Sequence, residues 1–195
     1  MFKKSISKII LITIFTSCFS SLANATVPGP YVGGQLGVGE TYYETFSVFN
    51  TNENALAGRI FTGYQFNPNF ALELGYLQFG KTTVTDDVTG ARASVTENSI
   101  DIMAKGILPL NEKFNLYGKL GAAYVTAKTT YMPYDSFFTG ETYHTVAPAA
   151  AIGISYDIKP NLPVDLSLMH IQPTSSTNID PATFLSLGIS YHFDA

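Results

Sequence analysis

The side chains of this sequence that could do chemistry include three histidines, many serines and aspartates, and a few charged residues inside apolar segments. His144, His170 and His192 lie far apart, and no two of them have the spacing of a metal-ligand pair. Serine and aspartate are so common that neither identifies a nucleophile, and the G-x-S-x-G motif is absent. We therefore predict no catalytic site, no metal site and no cofactor.

Six charged residues interrupt segments that are otherwise apolar or small. They are Arg59, Glu73, Asp101, Lys105, Lys119 and Asp165. Each lies out of phase with apolar residues that recur at every second position, so each shares a strand face with polar or small residues. A charge that is removed from water and left unpaired costs several kcal/mol. Because three of these residues are basic and three acidic, the sequence predicts a set of interior ion pairs.

The last stretch, residues 184–193, shows most clearly which elements would position these charges. Leucine, isoleucine, tyrosine and phenylalanine occupy every second position from Leu185 to Phe193, and serine, glycine and histidine lie between them. A period of two indicates a β-strand with one apolar face. An apolar face that ends in aromatics, opposite a polar and small face, is typical of a strand in a membrane barrel.

Seven earlier segments alternate in the same way. We predict them as strands over Tyr31–Val38, Ala55–Phe66, Phe70–Gly80, a stretch that ends at Leu108, Phe114–Ala127, Tyr143–Tyr156 and Val164–Ile171. Pro148 cannot donate to a ladder, so we place it near a strand end. The connections are alternately long and short, as expected for external loops and periplasmic turns. The sequence thus predicts an all-β fold, an eight-stranded antiparallel up-and-down transmembrane β-barrel.

The first 25 residues have the features of an export signal. Lys3, Lys4 and Lys8 precede a short apolar run, and Ala23-Asn24-Ala25 fits the small-residue cleavage rule. We predict a cleaved signal peptide over residues 1–25 and a barrel domain over 26–195. A lipoprotein site at Cys18, the single cysteine, is the alternative.

Composition narrows the class of protein further. Charged residues make up 13% of the chain, about half the fraction of a typical soluble domain. After cleavage, 8 basic and 15 acidic residues remain, a net charge of −7, which predicts no nucleic-acid partner. The mature part has no run of 18 apolar residues, so a membrane-spanning form would have to be a closed barrel.

Several short motifs carry a resemblance to a known family. They are Gly63-Tyr-Gln-Phe-Asn-Pro68, Glu73, Gly75-Tyr76, Gly80, Met103-Ala-Lys-Gly-Ile-Leu-Pro109, Lys119-Leu-Gly121 and Gly188-Ile-Ser-Tyr-His-Phe193. Over residues 30–193 the sequence resembles the small outer-membrane β-barrels, and specifically the OmpA-like transmembrane domain. The resemblance implies a location in the outer membrane of a Gram-negative bacterium. It also implies inward charges at Glu73 and Lys105, whereas the family's basic residue on the seventh strand falls on Asp165.

The resemblance also implies partners. The closing residues Leu187, Ile189, Tyr191 and Phe193 resemble the signal that barrel insertion machinery reads, although Asp194 and Ala195 follow. Outer-membrane lipid is the second expected partner. A surface partner is the third, because aromatic residues in exposed loops often contact other molecules. These loop candidates are Tyr42, Tyr43, Phe46, Phe49, Tyr131, Tyr134, Phe137 and Phe138.

The function predicted from sequence is therefore non-enzymatic: an integral outer-membrane barrel with a structural role and surface contacts or adhesion through long external loops. No cell-wall-binding domain follows the barrel before Ala195, so we expect no tether to peptidoglycan. Two alternatives remain open. One is a small channel for solutes or ions, and the other is a soluble exported calycin-like barrel that binds apolar ligands inside.

Overall fold

The computed structural model of the protein describes residues 28–41, 54–85, 92–132, 139–173 and 179–193. Over these ranges the chain forms nine β-strands. They are β1 (Gly29–Thr41), β2 (Asn54–Asn67), β3 (Phe70–Phe79), β4 (Thr82–Thr85), β5 (Arg92–Pro109), β6 (Phe114–Met132), β7 (Thr139–Lys159), β8 (Leu162–Ile171) and β9 (Ala182–His192). None of the described residues belongs to a helix that is long and apolar enough to cross a membrane.

The strands form a closed ring of antiparallel neighbours. Each strand pairs with the next along the chain, except that β3 pairs with β5 instead of β4. The last strand, β9, pairs with β1 and closes the ring. Both β3 and β4 pair with β5, so they are two parts of one barrel strand that is interrupted at residues 80–81. The barrel therefore has eight strands, and the predicted fold class is confirmed.

The register fixes the tilt of the strands. The paired residues can be followed from strand to strand, once around the ring, starting at Gly29. This path returns to β1 at Gly39, ten positions further along the strand. The partners in order are Gly29, Gln65, Ala71, Lys105, Lys119, Ala151, Met169, Phe184 and Gly39. A stagger of ten in an eight-stranded barrel corresponds to strands tilted by roughly 45° and to an interior just wide enough for side chains.

The outer surface of the barrel is apolar. Leu36, Leu56, Leu120 and Leu187 expose 68% to 73% of their area, although a soluble fold would bury such side chains. The residues that the closing segment was predicted to turn outward, Leu185, Leu187, Ile189, Tyr191 and Phe193, are all exposed. The apolar side chains thus face away from the barrel axis, toward the lipid of a membrane.

Aromatic rings mark the lower border of this apolar belt. Tyr64, Phe66, Phe70, Phe114, Tyr156, Tyr191 and Phe193 lie near the end that carries the short turns, and several of their rings are in contact. Rings at this depth are typical of a membrane interface, and short turns mark the periplasmic end. At the opposite end, β5, β6 and β7 continue beyond the paired residues Ile100 and Tyr124, so these strands project above the belt.

Two expectations about strand ends are wrong. The loops predicted over residues 81–93 and 128–142 are partly strand, because β4, β5, β6 and β7 extend into them. In addition, β7 runs through Pro148, which pairs with Ala122. The Pro148 carbonyl accepts a 3.0 Å hydrogen bond from the Gln172 amide. A residue's amide and carbonyl point toward the same neighbouring strand, so the donor that proline lacks would face the end of the β7–β8 ladder, where little pairing is lost.

Candidate functional site

Arg59 holds two carboxylates inside the barrel at mid-height. Its Nη2 and Nε donate to the two Asp101 oxygens at 2.6 and 3.0 Å, a bidentate pair between β2 and β5. Its Nη1 donates to a Glu73 oxygen at 3.4 Å. The arginine exposes only 2% of its area. A guanidinium with planar, paired donors can neutralise two neighbouring carboxylates at once, which a single ammonium does less well.

Glu73 is the centre of the charged cluster. Besides Arg59, it accepts a 2.6 Å hydrogen bond from Lys119 Nζ and lies 3.4 Å from Lys105 Nζ. The Tyr31 hydroxyl donates to its other oxygen at 3.0 Å. Three cations therefore surround one fully buried carboxylate. We refer to Arg59, Glu73, Asp101, Lys105 and Lys119 as the ion cluster.

Asp165, the sixth predicted charge, is joined to this cluster through neutral groups. It accepts hydrogen bonds of 2.8 Å from Gln35 Nε2 and from the Tyr117 hydroxyl. The Gln35 side-chain oxygen, Oε1, in turn accepts a 3.3 Å hydrogen bond from Arg59 Nη1. Within the described part of the chain, no basic group forms an ion pair with Asp165. The expected pairing of three cations with three anions is therefore incomplete, because Gln35 takes the place of a cation beside Asp165.

Glycines make the space that these long side chains need. A Cβ atom on Gly75 would collide with the Arg59 guanidinium, and one on Gly153 would collide with the Tyr117 ring. Both glycines lie on strands next to larger residues, so the side chains cross the lumen over bare backbone. The cluster therefore depends on small positions as much as on charged ones.

The external half of the lumen contains a large apolar cluster, which the sequence reading missed, although Ser99 and Glu97 on β5 are also buried there. Leu77, Val125, Ile171 and Phe184 are each at most 2% exposed and belong to one packed cluster. Met103, which pairs with Glu73, joins this cluster from the height of the ion pairs. We call this cluster, which also includes Phe79, Met169 and Ile179, the apolar layer. The structure places the ion pairs at mid-height, and apolar packing fills much of the external half. The signal was present in β3, where Leu77 and Phe79 lie out of phase with the outward residues Leu74 and Tyr76.

Below the ion cluster, the periplasmic half contains a small cavity. Its volume is about 20 Å³, and polar side chains such as Gln65, Ser190 and His192 line it together with Lys105 and Lys119. This space suffices for about one water molecule. His192 is buried there and stacks on Tyr31, with ring centroids 4.5 Å apart. A hydrated ion would find no room in this cavity.

The other two histidines lie on the outer surface near the external border of the belt. His144 Nδ1 is 3.0 Å from the Thr126 hydroxyl, and its ring stacks on Tyr124. His170 lies 3.0 Å from the Thr183 hydroxyl and 3.1 Å from the Gln172 side-chain oxygen. Among the described residues, no group of three potential metal ligands occurs.

Glu97 is a buried carboxyl at the external mouth. It lies opposite Ala127, three residues beyond the Ile100–Tyr124 pair, and therefore above the apolar belt. Burial, together with the nearby negative charge of Asp180, raises the pKa of Glu97 to about 7. The mouth of the barrel consequently carries less negative charge in a mildly acidic medium than in an alkaline one.

Some of the predicted surface residues lie within the described part of the chain, and others lie outside it. Leu187, Ile189 and Tyr191 form the outward face of β9, and Phe193 follows it. The loop candidates Tyr42, Tyr43, Phe46, Phe49, Tyr134, Phe137 and Phe138 lie outside the described residues, and only the backbone of Tyr131 is described, at the end of β6. The export signal also lies outside them.

A family model decides what kind of barrel this is. The model of the OmpA-like transmembrane domain matches residues 26–195. The chain belongs to this family. As a member of the OmpA-like family with an apolar outer belt, it is a transmembrane barrel of the Gram-negative outer membrane. The alternative of a soluble calycin-like barrel is wrong, because Leu187, Ile189 and Tyr191 point outward.

Individual proteins agree with this assignment. An uncharacterized protein of Coxiella burnetii is 27% identical over 220 residues, which cover 89% of this chain and 88% of the relative. The structure of Ail from Yersinia pestis, solved with the heparin analogue sucrose octasulfate, matches with a TM-score of 0.62 at 16% identity, over 86% of this chain and 99% of Ail. Neisserial surface protein A matches with a TM-score of 0.62 at 17% identity, over 85% of this chain and 97% of that protein. At these identities the two solved structures support the fold alone.

Proposed function

We propose that the protein is a non-enzymatic, non-conducting barrel that contributes structurally to the outer membrane and makes surface contacts through its external segments. The filled lumen is the observation that supports a non-conducting barrel. The ion cluster crosses the barrel at mid-height, and the apolar layer lies above it. An ion entering from outside would first have to cross an apolar core and then displace paired charges.

Single-channel recording tests whether the lumen conducts. The purified protein, inserted into planar bilayers at neutral pH, is expected to show no steady conductance. Steady conductance of nanosiemens size would reject the closed lumen and favour the channel alternative.

The surface contacts are proposed from the external segments. These segments, residues 40–53, 81–92, 128–142 and 172–181, carry the predicted loop aromatics together with eight acidic and three basic residues. The heparin analogue bound to Ail is a polyanion, and an acidic surface repels polyanions. We therefore propose that this chain's partner is neutral or cationic, recognised by aromatic side chains rather than by sulfate-binding residues.

A surface-attachment assay tests this proposal. Bacteria that display a variant with Tyr42, Tyr43 and Phe46 replaced by serine are expected to lose attachment to host-cell surfaces, because aromatic anchors dominate binding energy. A matched control replaces Ser47, Thr51 and Asn52 by alanine. Equal attachment by the aromatic variant and the parent, or binding of the parent to immobilised heparin, would contradict the proposal.

Export and insertion complete the proposed function. We infer that residues 1–25 direct export and are cleaved after Ala25. They carry the basic residues, the apolar run and the small-residue site of an export signal, and the barrel begins beyond them. We also infer that the insertion machinery reads the outward face of β9. The N-terminal sequence of the mature protein tests the first inference and is expected to begin at Thr26. The amount of a Phe193→Ala variant in the membrane tests the second and is expected to fall below that of the parent protein.

A further inference from the structure

A groove runs along the lipid-facing surface where β7, β8 and β9 meet. Its volume is about 370 Å³. Most of the residues that line it are apolar or aromatic, namely Phe114, Ile154, Tyr156, Val164, Leu166 and Leu187, and Ser155, Asp165 and Gly188 line it as well. The groove lies in the periplasmic half of the belt, since its lower end is formed by the Phe114 and Tyr156 rings, which are 4.9 Å apart. We call it the β7–β9 groove.

The groove follows from the sizes of side chains at paired positions. Val164 on β8 pairs with Tyr156 on β7 and with Ile189 on β9, and it is partly buried between these larger neighbours. On the next outward rung, Leu166 pairs with Ile154 and Leu187. Because valine is shorter than the side chains on either side of it, a groove remains along β8 that is open toward the membrane.

Basic residues lie at the periplasmic end of this groove. Lys113 immediately precedes Phe114, and its carbonyl accepts a 2.8 Å hydrogen bond from the amide of Asp157, the residue after Tyr156. Lys159, three residues beyond Tyr156, is exposed at the end of β7. Glu112 is exposed beside Lys113, whereas the Asp157 carboxyl is buried and accepts a 3.1 Å hydrogen bond from Asn115. The exposed charges at this end are therefore two ammonium groups and one carboxylate, and the buried Asp157 is a second acidic group nearby.

We propose that the β7–β9 groove binds one glycerophospholipid of the periplasmic leaflet, with an acyl chain along Val164 and Leu166 and the phosphate at Lys113 and Lys159. The groove is open toward the membrane and is lined mainly by apolar side chains, as the binding of an acyl chain requires. At the depth of this groove, the barrel is surrounded by lipid acyl chains. Lysines at the interface favour an anionic headgroup.

Native mass spectrometry of the mature protein tests this site. The probe is palmitoyl-oleoyl phosphatidylglycerol, added to detergent micelles in limiting amounts. The parent protein is expected to retain one lipid, whereas Val164→Phe, which fills the groove, is expected to retain almost none. Lys113→Gln and Lys159→Gln are each expected to lower the bound fraction about fivefold, as loss of one lysine near an anionic headgroup does. Ile102→Phe, an equivalent change on the far side of the belt, is the control.

Two results would overturn the proposal. One is equal lipid retention by Val164→Phe and the parent, with both proteins showing the heat-dependent gel shift of a folded barrel. The other is a dimer of the chain in place of the lipid adduct. A second measurement needs no variant: phosphatidylglycerol with a photoreactive acyl chain is expected to cross-link to residues 154–166 of the parent, and uniform labelling around the barrel would contradict the site.

Discussion

Replacing Glu73 by glutamine is expected to lower the free energy of unfolding by about 3–5 kcal/mol, the cost of breaking a buried ion pair by removing one partner. Glu73 lies among three cations and accepts hydrogen bonds from Lys119 and Tyr31. Glutamine keeps the size of the side chain and removes its charge, so Arg59, Lys105 and Lys119 would be left with too few anions. Urea unfolding in phospholipid vesicles, followed by far-ultraviolet circular dichroism, measures the difference.

The control for Glu73 is Glu112→Gln, the same change at an exposed turn position, for which we expect a difference within about 0.5 kcal/mol. The double variant Glu73→Gln/Lys119→Met is expected to be more stable than Glu73→Gln alone, because it removes the cation closest to the lost charge. If Glu73→Gln unfolds like the parent protein, the ion cluster contributes no net stability and the charges inside the barrel are solvated.

Truncation of Phe184 to alanine is expected to lower the free energy of unfolding by about 3–5 kcal/mol. Phe184 is 1% exposed in the apolar layer and makes an edge contact with the Phe79 ring, with centroids 6.4 Å apart. The substitution would leave a cavity between packed strands that cannot close around it, since the ladder fixes their spacing. The same urea titration measures this loss.

Leu110→Ala is the matched truncation for Phe184. Leu110 is 54% exposed at the periplasmic turn, and we expect its removal to change the unfolding free energy by about 0.5 kcal/mol or less. A small effect at Phe184, similar to that at Leu110, would mean that the external half of the lumen is open to water and that the apolar layer is not packed in the membrane.

The faces of the strands could be predicted from sequence because a period of two leaves only two choices for each strand. Once the closing segment sets Leu187 and Ile189 outward, parity alone places Ser186 and Gly188 inside. The same rule placed Arg59, Glu73 and Lys119 in the lumen, where the structure brings them together. Parity does not give distances across the lumen, and for that reason Gln35 and Tyr31 were not foreseen as partners of the charges.

The apolar layer was missed for a physical reason. A rule that assigns one apolar face to each strand fails where both faces are apolar, as at Tyr76 and Leu77 in β3. An eight-stranded barrel interior is narrow enough for its external half to be filled by apolar side chains, as in a soluble core. Pro148 was misjudged for a related reason, because its cost depends on which neighbouring strand its missing donor would face.

Asp165 lies apart from the ion cluster and has a different environment. Arg59 on β2 supplies the planar cation that pairs with Asp101 and Glu73. Asp165 is stabilised instead by the Gln35 amide and the Tyr117 hydroxyl. Sequence alone could not assign these roles, because they depend on how side chains from β1, β2, β6 and β8 meet.

The most direct test of the lipid-facing belt and the closed interior uses the absence of tryptophan from the chain. Single tryptophans are introduced at Leu120, which is 71% exposed on the outer face, and at Phe184, which is buried in the lumen. In vesicles with brominated acyl chains, we expect both to emit at short wavelength, but only the Leu120→Trp fluorescence to be strongly quenched. Strong quenching of Phe184→Trp, with little quenching of Leu120→Trp, would contradict the orientation of every strand described above.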